Sequence, residues 1–99
     1  MPNLHGTFHR DASQRLTFEI YELSSDCYPS LCQKLSAAFH LQPVSELVIG
    51  LDEMFRDYSN GSQTVGLEWD VWSGFIIVAK NQESEELVQQ MAKYLSEDS

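Results

Sequence analysis

The sequence predicts an α+β fold with the order β-β-α-α-β-β-α, a mainly antiparallel four-stranded sheet with helices packed on one face. Three observations support this. The segments "RLTFEIYEL" (15–23) and "QTVGLEWD" (63–70) alternate apolar and polar residues, the period of a strand with one buried face. Each has a second strand-like run beside it across a turn-like stretch, so the strands come as hairpins. Three further segments place apolar residues at the spacing of one helix face.

"NLHGTFHR" (3–10) alternates weakly, with Leu4, Gly6 and Phe8 on one face. "DASQ" (11–14) turns into the second strand, where Leu16, Phe18 and Ile20 point inward. The period then changes: Cys27, Tyr28, Leu31, Cys32, Leu35, Ala38 and Phe39 predict a helix from about 26 to 40. Ser24, Ser25 or Asp26 can cap its start, and Pro29 suits only its first turn. After Pro43, a second stripe of Val44, Leu47, Val48, Leu51, Met54, Phe55 and Tyr58 ends at Asn60-Gly61. It predicts a helix over 44–58, with Val48 and Leu51 buried and Glu53 and Asp57 exposed. Gly50 counts against it. A rival reading makes "ELVIG" (46–50) a short strand, or pairs "EMFRDYS" (53–59) across the Asn-Gly turn with the next segment of chain. The length of the stripe favours the helix. In the second hairpin Val65, Leu67 and Trp69 share a face, 70–73 form the loop, and "GFIIVAK" (74–80), apolar on both faces, is a central strand. Leu87, Val88, Met91 and Leu95 mark the last helix, capped by Asn81, with Glu83, Glu85 and Glu86 at its positive end.

The 99 residues suit one globular domain, 1–99, with 1–3 and 96–99 expected to fray. Fifteen Asp and Glu against six Lys and Arg give a formal charge of −9. That charge repels nucleic-acid backbones and anionic membranes and favours a basic protein partner. No apolar run approaches the roughly 18–20 residues that span a bilayer, and the first residues lack the pattern of a secretory signal. Cys27 and Cys32 on one helix would lie about 140° apart around its axis, poor geometry for a disulfide. Two reduced cysteines are expected, in a cytoplasmic protein.

The stretch "GLEWDVWSGF" (66–75) holds both tryptophans. Trp69 shares the inward face of its strand, whereas Trp72 falls in the hairpin loop, as a lid on the sheet edge or an interface anchor. With Trp72 as anchor, Glu68 and Asp70 form an acidic rim. As catalytic carboxylates they would need a cleft and a raised pKa, and neither His nor Lys lies close to them in sequence. Glu46, Glu53 and Asp57 form an acidic face of the expected second helix, either simply solvated or suited to a basic cleft. No catalytic, metal or cofactor motif emerges. His5 and His9 would stand about 13 Å apart on a strand. Cys27 and Cys32 are not a Cys-x-x-Cys pair, and Asn60-Gly61-Ser62 is a turn rather than a phosphate loop.

This profile is similar in kind to bacterial immunity and antitoxin inhibitors, a likeness of type with no matching stretch of chain. The expected function is a non-enzymatic module that binds a basic protein, as such inhibitors do. One alternative is a small ligand-binding or enzymatic domain with a pocket between sheet and helices. Another is a structural domain that self-associates, as a homodimer, along an exposed sheet edge.

Overall fold

The computed structural model describes residues 4–97. Among these residues the architecture is α+β, with seven strands in one sheet and two α-helices. The strands are β1 (Thr7–Arg10), β2 (Leu16–Ile20), β3 (Gln42–Pro43), β4 (Val48–Ile49), β5 (Glu53–Ser59), β6 (Thr64–Asp70) and β7 (Gly74–Ala79). The helices are α1 (Tyr28–Phe39) and α2 (Glu85–Glu97). Across the sheet the order is β1-β2-β7-β6-β5-β3, with β4 also on β5, and every pairing is antiparallel.

Turn chemistry fixes the hairpins. The Asp11 carboxylate accepts from the backbone N–H of Ser13 (2.8 Å) and Arg15 (2.9 Å), closing the β1–β2 turn with Gln14 at φ 65°. Asp70 does the same between β6 and β7, accepting from the N–H of Trp72 (3.0 Å) and Ser73 (2.6 Å). Gly74 then takes φ +75°, and a Cβ there would collide with the Ile20 carbonyl oxygen. Only glycine lets β7 begin beside β2.

The core lies between one sheet face and the helices. Leu16, Phe18 and Ile20 of β2, Phe75, Ile77 and Ala79 of β7, and Val65 and Leu67 of β6 meet Tyr28, Leu31, Cys32 and Leu35 of α1 and Leu87, Val88, Met91 and Leu95 of α2. The Tyr28 hydroxyl donates to the Leu67 carbonyl at 2.5 Å, tying α1 to the sheet. Helix α1 begins after a tight turn at Ser25–Cys27 and ends at His40, whose left-handed φ of 57° lets its N–H reach the Ser36 carbonyl. Before α2, the Asn81 carboxamide accepts from the Ser84 N–H (3.0 Å) and hydroxyl (2.6 Å). The Ser84 oxygen in turn accepts from the Thr64 N–H at 2.7 Å, which satisfies a buried hydroxyl. Among the described residues no helix is long and apolar enough to cross a membrane.

Both hairpins, the first helix and the last helix stand where the sequence placed them. The expected helix over 44–58 does not: this stretch forms β4 and nearly all of β5, close to the rival reading, with β3 just before it. Met54, Arg56 and Tyr58 face the helices; Glu53, Phe55 and Asp57 face away. Leu51 is 102% exposed and Val48 is also exposed, so the inferred stripe is not a buried face. The Asn60 carboxamide accepts from the N–H of Ser62 (3.1 Å) and Gln63 (2.9 Å), and Gly61 takes φ +108°. Asn60-Gly61 thus turns β5 into β6 rather than ending a helix. Among the described residues seven strands and two α-helices replace the expected four and three. β2 is also buried on both faces, not one: Thr17 and Glu19 lie between their cross-strand partners on β1 and β7, with His9 Nε2 2.9 Å from the Glu19 carboxylate. Ser96 and Glu97 belong to α2, while 1–3 and 98–99, part of the ends expected to fray, lie outside the described residues.

The two thiols are free, Cys27 half-buried and Cys32 buried in the core. Burial pushes the Cys32 thiol up, against hydrogen bonds from Tyr28 and Tyr58 that favour the thiolate. In native protein, Cys27 is therefore expected to react first with a thiol reagent such as dithionitrobenzoate, and Cys32 only through unfolding. Two equally fast thiols would contradict this packing.

Candidate functional site

The strand pairing brings together residues that the sequence had assigned to separate features. Alternation puts Glu53, Phe55 and Asp57 of β5 on the sheet face opposite the helices. The register pairs Glu53 with Asp70, Phe55 with Glu68 and Asp57 with Gly66. Four of the five candidate acids, Glu53, Asp57, Glu68 and Asp70, therefore share one face. Glu46 does not join them; it is exposed in the connection between β3 and β4.

Lys80, just after β7, reaches this face. Its Nζ lies 3.4 Å from Asp57 Oδ1 and 3.7 Å from Glu68 Oε2. Gly66 makes the room: a Cβ there would stand 2.9 Å from Lys80 Cε and from Glu68 Oε2. Sequence reasoning missed Lys80 because only the β6–β7 register reveals it. Burial pushes the Glu68 carboxyl above its ordinary value, Lys80 pulls it back and Asp57 adds to the rise. Such a carboxyl holds its proton more tightly in the folded than in the unfolded chain. Its contribution to stability is present at low pH and is lost as pH rises from the ordinary 4.5 through the folded value. Glu68→Gln lacks that dependence. The stability of the native chain minus that of Glu68→Gln should therefore fall as pH rises from about 4 to about 7, read from urea unfolding curves. A difference that rises with pH would contradict this environment for Glu68.

Beside this face, at one end of the sheet, large apolar side chains meet solvent. The Val71 N–H donates to the Asp52 carbonyl at 3.0 Å, so the turn before β5 lies against the turn between β6 and β7. Leu51, Val71 and Trp72 thereby come to one end; Leu51 is 102% exposed and Trp72 77%. Val48, paired with Phe55, continues the apolar surface onto the acidic face. Trp72 does not fold back as a lid. Trp69 does pack against the core, and its indole N–H donates to the Leu23 carbonyl at 2.9 Å. Leu51 and Val48 were missed as surface residues because the helical stripe assigned them to the core. Asp70, expected as a rim acid, also holds the turn that presents Trp72.

Among the described residues no three His, Cys, Asp or Glu side chains group as metal ligands. No family model matches the chain, and no curated protein or solved structure does.

Proposed function

We propose that this protein is a non-enzymatic binding module that docks a basic protein partner through the sheet end bearing Trp72, Leu51 and Val71. The observation that supports this reading is Trp72 itself, a large apolar side chain 77% exposed beside Leu51 and next to the acids of the outer sheet face. Exposed tryptophans surrounded by polar groups are the residue type that anchors interfaces. The acids Glu53, Glu68, Asp70 and Asp57 would steer a basic partner and set its orientation, while the apolar end would supply most of the affinity. The chain's charge of −9 acts in the same sense at longer range. The inhibitors of the immunity and antitoxin type are the class this reading fits, acting in the cytoplasm, where the free Cys27 and Cys32 stay reduced.

The test is affinity capture from source cells at low and high salt, with the native chain and a Leu51→Ala/Trp72→Ala double variant as baits. A basic protein retained by the native bait at low salt, and lost with the double variant, supports the reading. Identical capture by both baits contradicts it.

Self-association is the second reading, favoured by the exposed Val48 and Ile49 of the two-residue strand β4. A molecular mass that doubles with rising concentration in light scattering, and stays monomeric in Ile49→Asp, would select it.

A further inference from the structure

A groove on the helix side of the sheet is separate from the outer acidic face and does not depend on the docking of a basic protein there. It lies between α1 and the β4–β5 hairpin and encloses about 340 Å³, within the roughly 300–1,000 Å³ of small-molecule sites. Pro29, Leu47, Ile49 and Met54 make its walls apolar, and Arg56 and Tyr58 add polar groups from β5.

Arg56 is the unusual member. It projects from the face of β5 that turns toward the helices, between Met54 and the buried Tyr58, and is half-buried. A guanidinium keeps its charge when buried, so burial is costly without a counter-ion. Among the described residues no carboxylate lies within 4.0 Å of it, whereas Arg10 and Lys93 each have one and Lys80 has two. Acids are not scarce, with fifteen in the chain. The Nε–H donates to the Ser45 carbonyl at 2.9 Å, which fixes the plane of the group; the guanidinium also hydrogen-bonds the Tyr58 hydroxyl, and of its five N–H donors others remain for a further acceptor.

We propose that this groove binds a small monocarboxylic acid with an apolar tail, its carboxylate on the Arg56 guanidinium and its tail along Leu47, Ile49 and Met54. One cation in a groove whose other polar groups, Gln33, Ser36 and the two tyrosines, are uncharged matches one negative charge on an apolar body. Burial pushes the Tyr58 phenol up, with Cys32 adding to the rise and Arg56 opposing it, and burial also pushes the Cys32 thiol up. Neither neighbour offers an anion that would compete with the ligand for Arg56.

The probe is octanoate below its micellar concentration, titrated into the isotope-labelled full chain and monitored by amide chemical shifts. Saturable shifts are expected at the amides of Cys32, Leu47, Ile49 and Met54. 1-Octanol, equal in chain length but uncharged, should bind at least about tenfold more weakly, as should octanoate to Arg56→Gln, each being a loss of one charge-assisted contact. Ile49→Asp places a like charge at the mouth and should weaken octanoate similarly; Ile49 is 68% exposed, so this change should leave the fold intact if Arg56→Gln does not fold. Four results would overturn the proposal: no saturable shifts, equal binding of octanol and octanoate, unchanged affinity in folded Arg56→Gln or Ile49→Asp, or shifts confined to the groove between β1 and α2 beside His5 and Lys93.

Discussion

Phe75→Ala is expected to destabilise the protein by about 3–5 kcal/mol, the range for emptying a fully buried aromatic site. Phe75 is 0% exposed at the start of the central strand β7, between Ile20 of β2 and Trp69 of β6. Its ring lies 6.1 Å from that of Tyr28, so it also supports α1. Strands held on both sides cannot collapse into the space, which places the loss at the high end of the range. Urea unfolding with an unchanged m value would report it. Leu51→Ala is the matched comparison. Its side chain is wholly exposed, and the change should stay within about 0.5 kcal/mol. On a buried helical stripe Leu51 would instead have lost several times that.

The second large effect separates the two tryptophans. Trp69→Ala should cost about 3 kcal/mol or more, since it removes an indole packed on the core and leaves the Leu23 carbonyl without its donor. Trp72→Ala should cost under about 1 kcal/mol, because the ring meets solvent and only the backbone of that residue joins the Asp70 turn. Fluorescence supplies a second readout. In a Trp69→Phe background Trp72 should emit to the red and be quenched by neutral acrylamide, with iodide less effective beside the acids. Quenching by neither would place Trp72 in the core.

These two results bear on why parts of the molecule were readable from sequence. The division between Trp69 and Trp72 comes from period alone: Val65, Leu67 and Trp69 alternate, and the next tryptophan falls beyond the strand. The helix α1 was legible because Tyr28, Leu31, Cys32 and Leu35 are both helically spaced and buried. The stretch 44–58 misled because β4 and β5 fold back on each other, so that Val48 and Phe55 become cross-strand partners while their separation in sequence resembles two helical turns. Asn60-Gly61 held the correct signal, a hairpin turn, and the stripe outweighed it. The acids survived the error in part. Glu53 and Asp57 are four apart and Glu68 and Asp70 two apart, and even spacings keep a shared face on a strand. What joins the two pairs is the β5–β6 register, set by the Asn60–Gln63 turn. Lys80 on the outer face and Arg56 in its groove depend on still longer-range placement, which no local pattern encodes.

The central claim is that the Trp72 end serves binding rather than folding. The direct measurement is calorimetric titration of the captured basic partner into native protein and into Trp72→Ala, alongside a thermal melt of each. The predicted result is a melting temperature lowered by no more than about 4–8 °C and a Kd raised about thirtyfold or more, a loss of about 2 kcal/mol. An unchanged Kd in a folded Trp72→Ala protein would contradict it.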